Sequence, residues 1–313
     1  MNVVILENYS VNAVARLKAH DIDVSERTDD LSKADAVLIR SRTRINADFL
    51  EKAPNLKLIV SATSGFDHID WRECRKRGII CAHTPEANAQ STAELTMALM
   101  LAGERDLPMA IRNVRGNQWR DGLHRPHGLD GKTLGIIGLG RVGSKVAKMA
   151  QTFGMKVIAH DPYINFENFS HLNTLRLGLI EVLKTSDVVS LHVPLTKETF
   201  HLINHATFKE MQAEAILINT SRGPVVDEND LMSALDEGMI RGAAMDVIER
   251  EPPPSGHRLL VHPRLLLTPH IGAFTESAWE RASMTAVNQV LRLQKGERIL
   301  DSLPLSAAWF EKT

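Results

Sequence analysis

Residues 133–143 read TLGIIGLGRVG, and this stretch decides the fold. Its apolar start predicts a short strand, and Gly138, Gly140 and Gly143 follow with the spacing G-x-G-x-x-G. In a strand–turn–helix unit, these glycines permit a tight turn, close approach of a pyrophosphate and close packing of the helix. A helix predicted over 142–153 would direct its N-terminal N–H groups and its dipole at the phosphates. The stretch therefore predicts a dinucleotide-binding domain.

A carboxylate follows the next predicted strand, which covers 156–160. Asp161 lies roughly 20 residues beyond the glycines, where an acid that binds the ribose hydroxyls is expected. Pro162 and Tyr163 come next, and neither offers a positive charge to a 2′-phosphate. Because a carboxylate accepts hydrogen bonds from both ribose hydroxyls and repels a phosphate, we expect NAD rather than NADP as the cofactor.

The bulk composition is that of a globular α/β protein. The chain has 313 residues, enough for two domains, with 43% hydrophobic and 24% charged residues. A net charge of −1 gives no reason to expect nucleic acid or a membrane as a partner. The two cysteines, Cys74 and Cys81, lack metal-ligand spacing, so we expect no metal site and a reducing, cytoplasmic location. Neither a signal peptide nor a membrane-spanning segment is predicted.

Short apolar segments alternate with helical ones along most of the chain. This alternation predicts two Rossmann-like, doubly wound parallel-sheet domains with a cleft between them. We expect a substrate domain over 1–98 plus 290–313 and an NAD-binding domain over 99–289. Residues 105–131 predict an irregular connection, since they are rich in charge, glycine and proline.

Three polar side chains follow predicted strands of the second domain. Arg222, Glu251 and His270 come after the strands predicted over 215–219, 242–246 and 265–268, respectively. A histidine exchanges a proton near neutral pH, a neighbouring carboxylate favours its protonated form, and an arginine fork holds a carboxylate or a carbonyl oxygen. Hydride transfer between a 2-hydroxy acid and NAD needs such a set. Each residue taken singly could instead be a surface ion pair, a solvated loop acid or a strand end.

Four ordered motifs, at 138–143, 219–227, 246–252 and 268–272, resemble those of the D-isomer-specific 2-hydroxyacid dehydrogenases. The resemblance spans nearly the whole chain and implies that Arg222, Glu251 and His270 are catalytic. It also implies two similar α/β domains that close on the substrate, and a homodimer formed through the cofactor domains. The implied cofactor contacts, besides the glycine turn, are Arg141, Val142, Asp161, His192, Pro194, Thr220, Asp246 and Gly272.

Arg40, Arg42 and Arg44 alternate directly after the strand predicted over 36–39. A period of two places them on one side of an extended segment, where they would repel one another unless an anion binds. The alternative is a solvated basic edge. The arginine segment and Trp119-Arg120 are similar to phosphate-binding parts of the D-3-phosphoglycerate dehydrogenases.

The loop with Thr63, Ser64 and Gly65 matches the family's loop that binds the substrate carboxylate through backbone N–H groups. Many relatives have more glycine there. Together with 67–70, its threonine and serine also resemble the erythronate-4-phosphate dehydrogenases.

We therefore expect an oxidoreductase that transfers a hydride between NAD(H) and a D-2-hydroxy acid. The expected pair is 3-phosphoglycerate and 3-phosphohydroxypyruvate, in serine biosynthesis. The alternatives are a glyoxylate or hydroxypyruvate reductase, an erythronate-4-phosphate dehydrogenase, and a non-enzymatic, NAD-sensing corepressor-like protein. The chain ends soon after a long helix predicted over 276–294, so a C-terminal regulatory domain is not expected.

Overall fold

The computed structural model describes residues 1–120, 122, 125, 127–304 and 310. Two compact units divide the chain: Met1–Ala89 with Ala273–Phe310, and Gln90–Gly272. The divisions fall earlier than the predicted 98/99 and 289/290 boundaries. The reason is that a continuous helix runs through each predicted boundary. The helix over 276–294 places Ala282, Val287 and Leu291 in the core of the first sheet.

Strands alternate with helices along most of the chain, as the sequence predicts. The strands are β1 (Asn2–Ile5), β2 (Asp23–Ser25), β3 (Ala36–Ile39), β4 (Leu58–Ser61), β5 (Ile80–His83), β6 (Thr133–Ile137), β7 (Lys156–His160), β8 (Leu175–Arg176), β9 (Val188–Leu191), β10 (Ile216–Asn219), β11 (Gly242–Met245) and β12 (Leu265–Leu267). The helices are α1 (Val11–Lys18), α2 (Ala47–Glu51), α3 (Trp71–Lys76), α4 (Ala89–Glu104), α5 (Leu107–Arg115), α6 (Arg141–Thr152), α7 (Phe166–His171), α8 (Leu179–Thr185), α9 (His205–Phe208), α10 (Glu228–Glu237) and α11 (Glu276–Gln294).

The first unit contains a parallel sheet with strand order β2-β1-β3-β4-β5 over its described residues. Successive residues of a strand point to opposite faces, and both faces are apolar here. Leu38 packs in the core that includes Val287 of α11, whereas its neighbour Val37 packs in the core that includes Cys74 of α3. The unit is therefore doubly wound.

The second unit contains a parallel sheet with strand order β12-β11-β10-β9-β6-β7-β8 over its described residues. Ile136 packs with Val146 of α6 on one face, and Ile137 packs with Val182 of α8 on the other. Strand order reverses between β6 and β9, so the carboxyl ends of these two strands are where a ligand of such a sheet binds. The predicted fold class is confirmed in both units.

The predicted irregular connection over 105–131 is wrong in its first part, because α5 covers Leu107–Arg115. Pro108 lies in the first turn of this helix, where a missing N–H costs nothing and the fixed φ suits the helix. Proline was therefore a start signal here and not a break. Within the described ranges, no helix is long and apolar enough to cross a membrane.

A buried ion cluster joins elements of the second unit. The fully buried carboxylate of Glu104, at the end of α4, lies 2.8 Å from Nζ of Lys132 and 2.8 Å from Nη2 of Arg241. These cations precede β6 and β11. The cluster therefore connects the end of α4 to the amino ends of two strands whose opposite ends form the site described next.

Candidate active site

The glycine turn after β6 has the shape that a dinucleotide phosphate needs. Gly138 has a φ of +94°, and a Cβ added there would lie 2.6 Å from the carbonyl oxygen of His192. A Cβ at Gly143 would lie 2.1 Å from the carbonyl oxygen of Gly138, so α6 packs closely on the turn. By contrast, no atom lies within 4 Å of a Cβ built on Gly140, the N-cap of α6. The N-terminus of α6 is thus open to an approaching phosphate.

Asp161 directly follows β7 and is fixed onto the same turn. Its Oδ2 accepts the N–H of Leu139 at 2.9 Å, and its Oδ1 accepts the N–H of Tyr163 at 2.9 Å. Arg141 and Val142 begin α6 beside it, with Arg141 exposed and Val142 half-buried. The carboxylate is therefore held in one place beside the glycine turn.

His192 follows β9, across the point where strand order reverses. Its Nε2 lies 2.8 Å from Oγ of Ser190, and burial lowers the pKa of His192 to about 3, so the ring is neutral at physiological pH. Pro194 is exposed on the same loop. Thr220, after β10, is buried, and its Oγ1 lies 2.8 Å from that of Thr96 in α4.

Asn219 at the end of β10 shapes the turn that carries Arg222. Its Oδ1 accepts the N–H of Ser221 at 2.9 Å, and its Nδ2 donates to the carbonyl oxygen of Arg222 at 2.9 Å. The Arg222 side chain is half-buried, and its Nη1 donates to the carbonyl oxygen of Ser221 at 2.7 Å. Asn219 was not predicted as a site residue, although its place in the 219–227 motif was the available signal.

The turn at Arg222 packs directly on the loop that contains Glu251. A Cβ added to Gly223 would lie 2.0 Å from both the carbonyl carbon and the carbonyl oxygen of Ile248, and 2.5 Å from the nitrogen of Glu249. Contacts that short do not occur between real atoms, so only glycine allows these two backbones to meet.

The carboxylate of Asp246 organises the third segment. This buried side chain accepts hydrogen bonds from Oγ1 of Thr268 at 2.5 Å, the N–H of Ile271 at 2.9 Å and the N–H of Gly272 at 2.8 Å. His270 between them has a φ of +53°, and its N–H donates to the carbonyl oxygen of Asp246 at 2.8 Å. A left-handed conformation costs a non-glycine residue roughly 1–3 kcal/mol, and this network holds His270 in it.

His270 and Glu251 meet directly. Nδ1 of His270 lies 2.6 Å from Oε2 of Glu251, whose Oε1 accepts the N–H of Ile248 at 3.0 Å. Burial raises the pKa of Glu251, but the hydrogen bond and charge of His270, the Ile248 N–H and the charge of Arg222 together hold that pKa below its usual value. Both side chains remain partly exposed, at 49% for His270 and 37% for Glu251. The pair can therefore be reached by a small molecule while the carboxylate stays ionised.

In the first unit, the arginine segment bends around a carboxylate and is not extended as predicted. The N–H groups of Arg40, Arg42 and Thr43 donate to the carboxylate of Glu7 at 2.8, 3.3 and 3.0 Å. Arg42 and Arg44 are exposed, while Arg40 is half-buried. Glu7 was missed, although it follows β1, which is the neighbour of β3 in the sheet.

Nη1 of Arg40 is buried and contacts no acceptor in the described part of the chain. Among the described residues, this guanidinium nitrogen therefore has no hydrogen-bond acceptor. Trp119, which was also predicted to lie in a phosphate-binding segment, belongs to the second unit. It is highly exposed and has a φ of +47°.

The loop after β4 turns its hydroxyl groups onto its own backbone. Oγ1 of Thr63 donates to the carbonyl oxygen of Gly65 at 2.8 Å, and Oγ of Ser64 donates to that of Pro85 at 3.1 Å. In the described part of the chain, no acceptor contacts the N–H groups of Thr63, Ser64 or Gly65. Threonine and serine thus replace glycine here while their N–H groups stay available. Within the described residues, no cluster of histidine, cysteine and acidic side chains could hold a metal ion.

Comparison with known proteins identifies the family. A sequence model described as the NAD binding domain of D-isomer specific 2-hydroxyacid dehydrogenases matches residues 97–272. D-3-phosphoglycerate dehydrogenase of Methanocaldococcus jannaschii is 41% identical over 273 residues, which cover 87% of this chain and 52% of that protein. The chain therefore spans about half the length of such relatives.

Glyoxylate reductase of Thermofilum pendens is 41% identical over 276 residues, with 84% of this chain and 79% of that protein covered. The crystal structure of TT0316 protein from Thermus thermophilus is 35% identical and has a TM-score of 0.88, covering 97% of this chain and all of that chain. Sequence and structure therefore agree that this chain belongs to the D-isomer specific 2-hydroxyacid dehydrogenase family, with residues 97–272 as its NAD-binding domain.

Proposed function

We propose that the protein is an NAD-dependent oxidoreductase that interconverts a D-2-hydroxy acid and its 2-oxo acid. The contact between Nδ1 of His270 and Oε2 of Glu251, at 2.6 Å, carries this proposal. It supplies a histidine oriented by an ionised carboxylate, which is what removal of a hydroxyl proton requires. Arg222 lies on the turn that packs against the loop of Glu251, and its charge helps to lower the pKa of that carboxylate.

The three proposed catalytic residues act on different parts of the substrate and on each other. In the oxidising direction, Nε2 of His270 takes the hydroxyl proton, and Glu251 stabilises the imidazolium through Nδ1. In the reducing direction, His270 returns that proton to the carbonyl oxygen. Arg222 holds the substrate carboxylate or polarises the carbonyl oxygen through charge-assisted hydrogen bonds. NAD, when bound, accepts or supplies the hydride at C2.

The residues present fit NAD. The open space at Gly140 lies at the N-terminus of α6, where the phosphates would bind, and Asp161 would accept from the ribose hydroxyls. Thr220, the neutral ring of His192, Pro194, Asp246 and Gly272 would complete the contacts. The Asp246 carboxylate would act chiefly through the 268–272 segment, since it already accepts three hydrogen bonds from it.

Replacing His270 by alanine tests the proposed chemistry. We expect His270→Ala to lower kcat for 2-oxo acid reduction by at least about 100-fold, the effect of losing a general acid. NADH affinity, measured by fluorescence titration, should change by less than about threefold, because the glycine turn and Asp161 are untouched. His171→Ala, at an exposed histidine of α7, is the matched control. Normal turnover by His270→Ala would remove histidine from the mechanism.

Cofactor choice depends on Asp161. Because its carboxylate is fixed beside the turn and repels a 2′-phosphate, we expect kcat/KM to be higher with NADH than with NADPH. Asp161→Ala should shrink that ratio by at least about 10-fold, as 1.4 kcal/mol of lost discrimination corresponds to a factor of ten. Asp187→Ala removes a carboxylate before β9, at the amino end of the same sheet, and should leave the ratio unchanged. Equal use of both cofactors by the unaltered protein would contradict the role of Asp161.

We further propose a phosphorylated substrate, 3-phosphoglycerate or 3-phosphohydroxypyruvate, as used in serine biosynthesis in the cytoplasm. Support comes from the two arginines beside β3: the exposed side chain of Arg42 and the buried Nη1 of Arg40. The N–H groups of Thr63, Ser64 and Gly65 would bind the substrate carboxylate.

A glyoxylate or hydroxypyruvate reductase is the second candidate, and one observation favours it. The carboxylate of Glu7 lies within the arginine segment and supplies part of the negative charge that a phosphate would bring. An unphosphorylated acid would not need the side chains of Arg40 and Arg42.

Arg42→Ala distinguishes these substrates. Charge-assisted hydrogen bonds are worth about 1.5–3 kcal/mol each, so its kcat/KM for 3-phosphohydroxypyruvate should fall by roughly 10- to 100-fold. Reduction of hydroxypyruvate should fall by less than about threefold. Arg75→Ala, at an exposed arginine of α3, controls for net charge. Equal losses on both substrates would indicate a structural role for Arg42, and a wild-type preference for hydroxypyruvate would favour the reductase.

We also propose a homodimer that buries one face of α5. Leu107, Ile111 and Val114 recur at helical spacing and are 44%, 49% and 58% exposed. Ile111→Asp places a charge in this stripe and should give a monomer in sedimentation velocity runs, whereas Lys148→Asp on exposed α6 surface should not. A wild-type monomer at micromolar concentration would overturn this arrangement.

A further inference from the structure

The loop that carries Glu251 is attached to a second group of charged side chains. Glu249 lies two residues earlier, and its N–H donates to Oε1 of Glu228 at 2.6 Å. Its own Oε1 lies 2.9 Å from Nε2 of His201. Nδ1 of the same histidine lies 3.1 Å from Oδ2 of Asp227. These contacts connect the loop to the start of α10 and to the segment before α9.

Asp227 and His201, which lie beyond Glu249 in this group, make further contacts that hold them in place. Asp227 is the N-cap of α10, and its Oδ1 accepts the N–H groups of Asn229 and Asp230 at 3.0 and 3.1 Å. The ring of His201 stacks on Phe200 at a centroid distance of 4.0 Å. His201 therefore lies between the carboxylates of Asp227 and Glu249, with one ring nitrogen facing each.

Glu228 sits where its charge is poorly solvated. Its side chain is only 14% exposed, and its pKa is raised chiefly by burial, although the N–H of Glu249 lowers it. The Arg222 turn also lies close to this backbone, because a Cβ on Gly223 would lie 2.5 Å from the nitrogen of Glu249. The backbone at Glu249 is thus held between the Arg222 turn and α10.

The geometry points to Glu228 and His201 as positioning residues for catalysis. By holding Glu249, they set the place of Glu251, and Glu251 in turn meets Nδ1 of His270. Neither residue is assigned a contact with substrate or cofactor. This inference rests on the proposed function, since the position of Glu251 matters to the reaction only through His270.

Variants of Glu228 test the inference. Glu228→Ala removes the acceptor for the Glu249 N–H, whereas Glu228→Gln keeps an acceptor oxygen there. We expect Glu228→Ala to lower kcat by about 10-fold with the NADH affinity unchanged within about twofold, since small displacements of catalytic groups have effects of this order. Glu228→Gln should recover at least half of the wild-type kcat. Asp236→Ala, at a partly exposed carboxylate of α10 that contacts Arg258, controls for the helix itself.

A spectroscopic readout separates positioning from loss of stability. The Nδ1–H of His270, hydrogen-bonded to a carboxylate at 2.6 Å, should give a downfield proton resonance in the NMR spectrum, assigned by its loss in His270→Gln. This resonance should weaken or vanish in Glu228→Ala and persist in Glu228→Gln and Asp236→Ala. If Glu228→Ala does not fold, His201→Ala takes its place, because it leaves the start of α10 intact. The His270 resonance should weaken in His201→Ala as well.

The outcomes of the two assays are distinguishable. If Glu228→Ala keeps both the resonance and the wild-type kcat, the positioning role is overturned. If kcat falls as much in Glu228→Gln as in Glu228→Ala, the hydrogen bond from the Glu249 N–H does not position Glu251, and the inference also fails. If the wild-type protein reduces no 2-oxo acid with NADH, the proposed function fails, and the resonance alone decides whether Glu228 positions Glu251.

Discussion

The buried carboxylate of Asp246 is the constraint on which the site depends. It accepts three hydrogen bonds from the segment 268–272, while its backbone oxygen accepts the N–H of His270. A buried carboxyl group is stable only when hydrogen-bond partners such as these surround it. The segment is therefore held in a conformation that an unconstrained histidine avoids, with a φ of +53°. Folding of the second sheet brings β11 and β12 side by side and so supplies this arrangement.

Two close backbone approaches extend that constraint to the other functional groups. Gly223 allows the Arg222 turn to touch the carbonyl of Ile248, and Gly138 allows the glycine turn after β6 to touch the carbonyl of His192. In both places a side chain would collide with backbone, which cannot move aside cheaply. Parallel strands end at a common edge, so these local contacts place an arginine, a carboxylate and a histidine along the carboxyl ends of one sheet.

Sequence patterns were sufficient to predict the parts of the structure that depend on local residue spacing. The glycine spacing at 138–143, the apolar strands and the residues at strand ends predicted the α/β fold and the contact between Glu251 and His270. The helix α5 was missed because residues 105–131 were judged together by their charge, glycine and proline, whereas Pro108 lies in the first turn of the helix. Glu7 was missed for another reason: its contacts to the Arg40 segment join residues more than 30 positions apart, and only the sheet order β1-β3 brings them together. The positions of Asn219 and Glu228 likewise depend on how loops pack, which no periodicity encodes.

In the proposed reaction, a hydride passes directly from NADH to C2 of a 2-oxo acid and gives the D-isomer of the hydroxy acid. Transfer of deuterium from NADH labelled at C4 of the nicotinamide, with hydroxypyruvate as substrate and the product analysed by NMR and chiral chromatography, tests it most directly. We expect D-glycerate with deuterium at C2 from one of the two labelled NADH epimers. Glycerate with solvent hydrogen at C2 from both epimers, or the L-isomer as the product, would contradict it.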